Sequence, residues 1–142
     1  MTRKIVVAFI AVAATAAPNA VAREPGLSLA AVSPSAVRCA DAVSWQRAAS
    51  LVGQRAVIKG RIVSTYFARS SAGQPTFLDM GNGYPNPNRF TVLIWRENRR
   101  TFGGSPETRY RGRSLCVIGL INSYRGVPEI VARSAGQITV VR

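Results

Sequence analysis

Residues 75–95 read PTFLDMGNGYPNPNRFTVLIW. Two β-type runs, residues 75–80 and 89–95, flank residues 81–88, whose Gly, Asn and Pro favour turns and interrupt ladders. A hairpin with a stiff, polar tip is predicted. Alternation along the second run places Phe90, Val92 and Ile94 on one face and Arg89, Thr91, Leu93 and Trp95 on the other. If Leu78 lies opposite Val92, then Thr76, Leu78 and Met80 join the apolar face, while Phe77 and Asp79 join Leu93 and Trp95. A register slipped by one residue would exchange the two faces and bury Asp79. The outer face then carries Phe77 and Trp95 beside polar groups, as a surface that stacks on nucleobases requires.

The remaining β signals lie on either side. Residues 55–67 form a long run with Ile58, Gly60 and Ile62 on one face and Lys59, Arg61 and Val63 on the other. Gly60 in mid-strand marks a bend or a close approach. Residues 69–74, RSSAGQ, form a basic loop leading into the hairpin. Residues 97–111 contain Gly103-Gly104 and Pro106 and read as a connector with at most a short helix. Residues 113–124 return to β, with both faces apolar at the start, so a second layer must cover one of them. A short helix over residues 45–51, with Ser44 able to cap it and Gly53 able to end it, is the expected cover. Tyr124-Arg125-Gly126-Val127 is a tight-turn sequence leading into a strand that begins near Pro128, and residues 138–141 add a last β segment.

Charge and cysteine usage bear on compartment and partners. The chain has 142 residues, 19 basic and 6 acidic side chains, no histidine and two cysteines. Arg3 and Lys4 precede an apolar run of about 13 residues and then Pro18 to Ala22, the three regions of a secretory signal. The run is short of the roughly 20 residues that span a bilayer as a helix. The expected organisation is therefore a signal peptide over residues 1–22, cleaved near Ala22, a linker over 23–38, and one domain over 39–142. The destination is the periplasm or the exterior, without a stable membrane anchor. In such an oxidising compartment Cys39 and Cys116 are expected to pair; the alternative is two separate buried thiols. The mature chain keeps 17 basic residues against 6 acids. That excess is spread through the domain and points to a polyanionic partner.

Catalysis and metal binding find little support in the residues. Without histidine, and with Lys59 as the only mature lysine, Ser-His, Cys-His and most Ser-Lys arrangements are absent. In the register above, Asp79 lies opposite Thr91, about 20 Å along the strand from Glu97, too far for paired-carboxylate chemistry. Two distant cysteines cannot make a zinc site, so no metal and no cofactor is expected. The protein is read as a binding module and not an enzyme.

Five β segments, a connector between the third and fourth, and mid-strand glycines at Gly60 and Gly119 match an all-β, five-stranded Greek-key barrel with a short amino-terminal helix. In order along the chain, VIKGRI (57–62), PTFLD (75–79), FTVLIW (90–95), VIGLI (117–121) and SYRGVPEI (123–130) resemble bacterial OB-fold nucleic-acid-binding domains, found alone in exported proteins or beside a nuclease domain. The resemblance implies a ligand face on the second and third strands, Phe77 with Trp95, flanked by Arg69 and its loop and by Tyr124 with Arg125. Lys59, Arg61 and Arg89 are further candidates for phosphate contact, against the simpler reading of solvated surface charge. The implied ligand is nucleic acid, single-stranded in the first instance, or another polyanion. The alternative is a structural module with a protein or glycan partner on the same barrel.

Overall fold

One strand takes part in both halves of the sheet, and the barrel closes around it. In the computed structural model, which describes residues 39–142, β2 (Arg55–Phe67) pairs antiparallel with β5 (Ser114–Tyr124) through its first half and with β3 (Thr76–Met80) through its second. β3 pairs antiparallel with β4 (Phe90–Ile94), β4 runs parallel to β6 (Val127–Val131), and β6 returns antiparallel to β5. The circuit β2-β3-β4-β6-β5-β2 is closed, with the pairing order of an OB-fold barrel. Two short strands extend it: β1 (Val43–Ser44) alongside β2, and β7 (Ile138–Val141) alongside β5. The signal-peptide and linker expectations fall outside the described residues. Among the described residues no helix is long and apolar enough to cross a membrane.

The hairpin has the predicted register, Leu78 opposite Val92 and Asp79 opposite Thr91. Leu78, Met80, Phe90, Val92 and Ile94 are fully buried and meet Ile58, Ile62, Leu115, Val117, Ile121 and Ile130 in one core. The β2–β3 pairing shifts register between Ile62 and Ser64, so Val63 bulges outward and the facing of β2 reverses. Before the bulge Ile58 and Ile62 point inward; beyond it Ser64 and Tyr66 align with Asp79 and Phe77 on the outer face.

The predicted helix is a 3₁₀ helix, Trp45–Leu51. Ser44 occupies its N-cap without capping it, and its hydroxyl turns instead to the Gln46 side chain. Its position also differs from expectation. It does not cover the outer face of β5; Ala48, Trp45 and Leu51 pack into the core from one end of the barrel, against β2, β4, β5 and β6. The end of a barrel is an opening that an apolar helix face can fill, whereas on β5 only the position of Cys116 requires cover. A β-carbon at Gly60 would come within 2.8 Å of the Trp45 ring and 2.9 Å of the Met80 sulfur, which accounts for the mid-strand glycine. Gly81, at φ +78°, faces the same indole.

The connector closes the opposite end. Phe102 and Tyr110 are buried there, edge to face at 6.5 Å, on either side of the single-turn helix α1 (Pro106–Arg109). Arg99 fastens this end. Its guanidinium donates to both Glu107 oxygens, at 2.9 and 3.1 Å, to the Gly104 carbonyl at 2.8 Å and to the Thr76 hydroxyl, while lying 3.6 Å over the Phe67 ring. Burial raises the Glu107 carboxyl, but the hydrogen bonds and charge of Arg99 outweigh it and hold the group below its usual range.

Cys39 and Cys116 form a disulfide with their Cα atoms 5.7 Å apart. Cys116 is fully buried on the outer face of β5, in register with Lys59 and Thr139.

Three outcomes are expected. Native protein should take up no alkylating agent until reduced, as read by intact mass. Cys39→Ala/Cys116→Ala should lower stability by up to about 4.5 kcal/mol, the chain-entropy value for a loop of this size; an unchanged denaturant midpoint would show that the bridge constrains nothing. Arg99→Leu leaves Glu107 and Thr76 without their donor and should cost about 3 kcal/mol in the same assay.

Candidate ligand-binding cleft

Beyond the Val63 bulge, the outward faces of β2, β3, β4, β6 and β5 curve into a cleft of about 660 Å³. Its residues fall into cross-strand rows. Ser64, Asp79, Thr91 and Glu129 form one row, which the exposed Asn122 of β5 continues beyond the cleft lining. Tyr66 and Phe77 begin the next, and Tyr124 and Val127 close the far side. Tyr84 leans in from the β3–β4 loop. Tyr66, Tyr84 and Tyr124 are 64%, 79% and 59% exposed, large aromatic surfaces left open to a ligand.

The floor is acidic. Asp79 is buried, and its Oδ1 accepts from the Thr91 hydroxyl at 2.7 Å and lies 3.5 Å from Arg89 Nε. Its Oδ2 accepts from the Tyr84 backbone N–H at 3.3 Å. Burial pushes the Asp79 carboxyl up, opposed by the Thr91 hydrogen bond and then by the Arg89 charge, and the balance stays above the usual value. These contacts organise the loop. Arg89 reaches the Asn86 carbonyl and lies 5.4 Å over the Tyr84 ring, so one buried acid holds the loop and its tyrosine against the cleft. Glu129 differs. It is half-buried, receives no hydrogen bond and pairs with no cation among the described residues, and burial alone raises its carboxyl.

The candidates named from sequence divide between several places. Phe77, Arg89 and Tyr124 line the cleft. Arg125 stands at its rim, its guanidinium 5.3 Å over the Tyr124 ring, in a two-residue turn where Arg125 and Gly126 both have positive φ. That turn is the predicted tight hairpin. Arg69 lies in the β2–β3 loop, 5.3 Å over Phe67. Trp95 does not line the cleft; its ring packs on Gly73 of the same loop, where a β-carbon would come within 2.8 Å. Lys59 and Arg61 are exposed on the half of β2 that pairs with β5, before the bulge, and do not reach the cleft. The outer face of the hairpin is also more closed than alternation implied. Thr91, Leu93 and Asp79 are buried, because curvature brings Phe77 and Val131 beside Leu93, and Tyr84 and Arg89 against Asp79.

Tyr66, Tyr84 and Glu129 were not singled out from sequence. The bulge hides Tyr66, since unbroken alternation from Ile58 places it inward. Glu129 reaches the floor only through the parallel β4–β6 pairing, a non-local contact that no local pattern encodes. Among the described residues no group of three metal-ligating side chains converges.

No protein-family model and no curated protein sequence matches the chain. Solved structures do match in fold. A chain described as OBody AM1L10 bound to hen egg-white lysozyme superposes with a TM-score of 0.50 at 12% identity, over 71% of this chain and 92% of that one. The S. pombe Stn1–Ten1 complex matches at a TM-score of 0.44 and 21% identity, over 61% of this chain and 57% of that one. Asparaginyl-tRNA synthetase from Pyrococcus horikoshii matches at 0.48 and 14% identity, over 72% of this chain and 23% of that one. The protein is an OB-fold barrel.

Glu129 provides a test of the cleft's electrostatics. Because its folded-state pKa is raised, protonation of Glu129 favours the native state: its contribution is full below its ordinary value of 4.5 and is lost as pH rises through the folded value. Glu129→Gln should therefore raise the melting temperature at pH 7, with the gain shrinking as pH falls towards 4.5. Equal melting temperatures at pH 7 would mean that the carboxylate is well solvated.

Proposed function

We propose that the protein is an exported, non-catalytic OB-fold module, of the bacterial nucleic-acid-binding kind that its segments resemble, and that it binds single-stranded nucleic acid in this cleft. The carrying observation is the ring of four aromatic side chains, Tyr66, Phe77, Tyr84 and Tyr124, around one open groove. Bases have π-faces, and stacking on such rings contributes about 1 to 3 kcal/mol per base. One of these rings carries an exposed guanidinium, Arg125 on Tyr124, while Arg89 on Tyr84 is enclosed and paired with Asp79. Stacking and phosphate neutralisation therefore adjoin at the cleft edge. The excess of 19 basic over 6 acidic residues supports a polyanionic ligand, and the Cys39–Cys116 disulfide supports an oxidising destination.

A second reading, a glycan or protein partner, draws on the floor. Asp79 and Glu129 could accept hydrogen bonds from sugar hydroxyls or backbone amides while the tyrosines cover apolar faces. Salt dependence separates the two. Three to five phosphate contacts give a slope of log K against log salt of roughly −2 to −3.5 for single strands. A neutral glycan gives almost none.

Titration of the mature protein with labelled single-stranded DNA at several salt concentrations is the test. Phe77→Ala and Tyr124→Ala should each weaken binding by about 1 to 3 kcal/mol at unchanged slope. Arg111→Ala and Arg125→Ala, at the cleft edge, should each flatten the slope by about 0.7. Absence of binding at low salt, or normal binding by a folded Tyr124→Ala protein, would overturn the assignment.

A further inference from the structure

Among the acids of the cleft, Glu129 alone has no partner within the described residues. Asp79 accepts from the Thr91 hydroxyl and the Tyr84 N–H and forms an ion pair with Arg89 at 3.5 Å; the Thr91 hydroxyl is spent on Asp79; Arg89 is divided between that ion pair, the Asn86 carbonyl and the Tyr84 ring. Glu129 sits in the same row, half-buried, with both oxygens unused. Its oxygens keep contact with solvent and are open to a ligand's donors. In a chain this rich in arginine, a cation could have been placed beside it. Instead, its neighbours on the cleft face are Thr91 on one side and, on the other, the exposed Asn122.

We propose that Glu129 reads guanine in a bound single strand, making it the residue that sets base preference. This rests on the nucleic-acid reading above and goes beyond it. The reasoning concerns hydrogen-bond edges. A carboxylate accepts two parallel N–H bonds in a fork, the geometry that makes bidentate pairs selective. The Watson–Crick edge of guanine presents two adjacent donors, N1–H and the N2 amine. Thymine offers one donor between two carbonyls, and adenine and cytosine each offer an amine next to a ring acceptor that a carboxylate repels. In a single strand this edge is free. Guanine also presents O6 beside N1, and the Asn122 amide, in register with Glu129, carries a donor suited to it. Tyr124 and Phe77 line the same cleft and supply rings on which such a base can stack.

The experiment compares a short oligothymidylate with the same oligomer carrying one central guanine, one central inosine, which lacks the N2 amine, or one central adenine. Fluorescence anisotropy on the mature protein reads the affinities. A single guanine excludes quadruplex formation within one strand. Guanine in place of thymine should tighten binding by about 5- to 150-fold, the range of one good bidentate pair. Inosine should keep only part of that gain, and adenine should give none. In Glu129→Gln the guanine-to-thymine ratio should collapse towards one, with circular dichroism confirming the fold. Equal binding of the guanine and thymine oligomers by the wild type overturns the proposal while leaving single-strand binding standing, as does a Glu129→Gln protein that keeps the preference. Absence of binding to every oligomer overturns both.

Discussion

Closure of the barrel depends on β2 changing partners without changing strand. Its first seven residues pair with β5 and its last few with β3, and the changeover is at Val63. A bulge there reverses which side chains face inward, and it adds the local twist that a five-stranded sheet needs in order to close. The cleft follows from the same residue. Without the reversal, Tyr66 would point into the core and Thr65 outward, and the row that aligns Ser64 with Asp79, Thr91 and Glu129 would lose its first member. Fold and site thus share one irregularity.

The net charge overstates what is available to a ligand. Arg99 is buried and fully engaged, with Glu107, Thr76, Gly104 and the Phe67 ring as its partners. Arg89 is nearly as enclosed, holding the β3–β4 loop through Asp79 and Tyr84. Both serve the architecture, one closing an end of the barrel and the other shaping the cleft wall. Arg111, near Thr65, and Arg125, over Tyr124, remain exposed at the edge. On the proposed reading, affinity for a polyanion would therefore depend on a few guanidiniums at the rim and not on the total, because charges farther away than a Debye length of about 8 Å are largely screened at physiological salt.

What was legible in the sequence was whatever short-range chemistry determines. Hairpin register followed from alternation, since a slip by one residue exposes Phe90, Val92 and Ile94. The tight turn at Arg125-Gly126 and the close approach at Gly60 were readable because few residues tolerate such backbones or such crowding. The pairing of Cys39 with Cys116 followed from an expected oxidising destination and a count of two. Position within the barrel was not readable. The helix over Trp45–Leu51 has an apolar side in either location, and only the closed circuit reveals an open end for it to fill. Trp95 looked like an exposed aromatic because alternation cannot show that Gly73 folds back beneath it. Glu129 looked like an isolated acid because Thr91, its row neighbour on β4, is brought beside it only by a pairing distant in sequence.

An acidic floor in a basic protein also bears on how a strand could lie. On the proposed reading, phosphates and bases compete for the same groove, and a uniformly basic surface would accept either orientation. Here the acids oppose one of them. A phosphate about 4 Å from a carboxylate is repelled by about 4 kcal/mol at the effective dielectric of a protein surface. The exposed guanidiniums are on the rim, Arg125 over Tyr124 and Arg111 near Thr65. The backbone is then driven outward to the arginines and the bases inward, where the rings give stacking area and the carboxylate gives a reason to prefer amines. Asp79 contributes through the loop it anchors, and Glu129 through its unused oxygens. On that reading, the two acids that repel a phosphate from the floor of the cleft are also what would favour a base there.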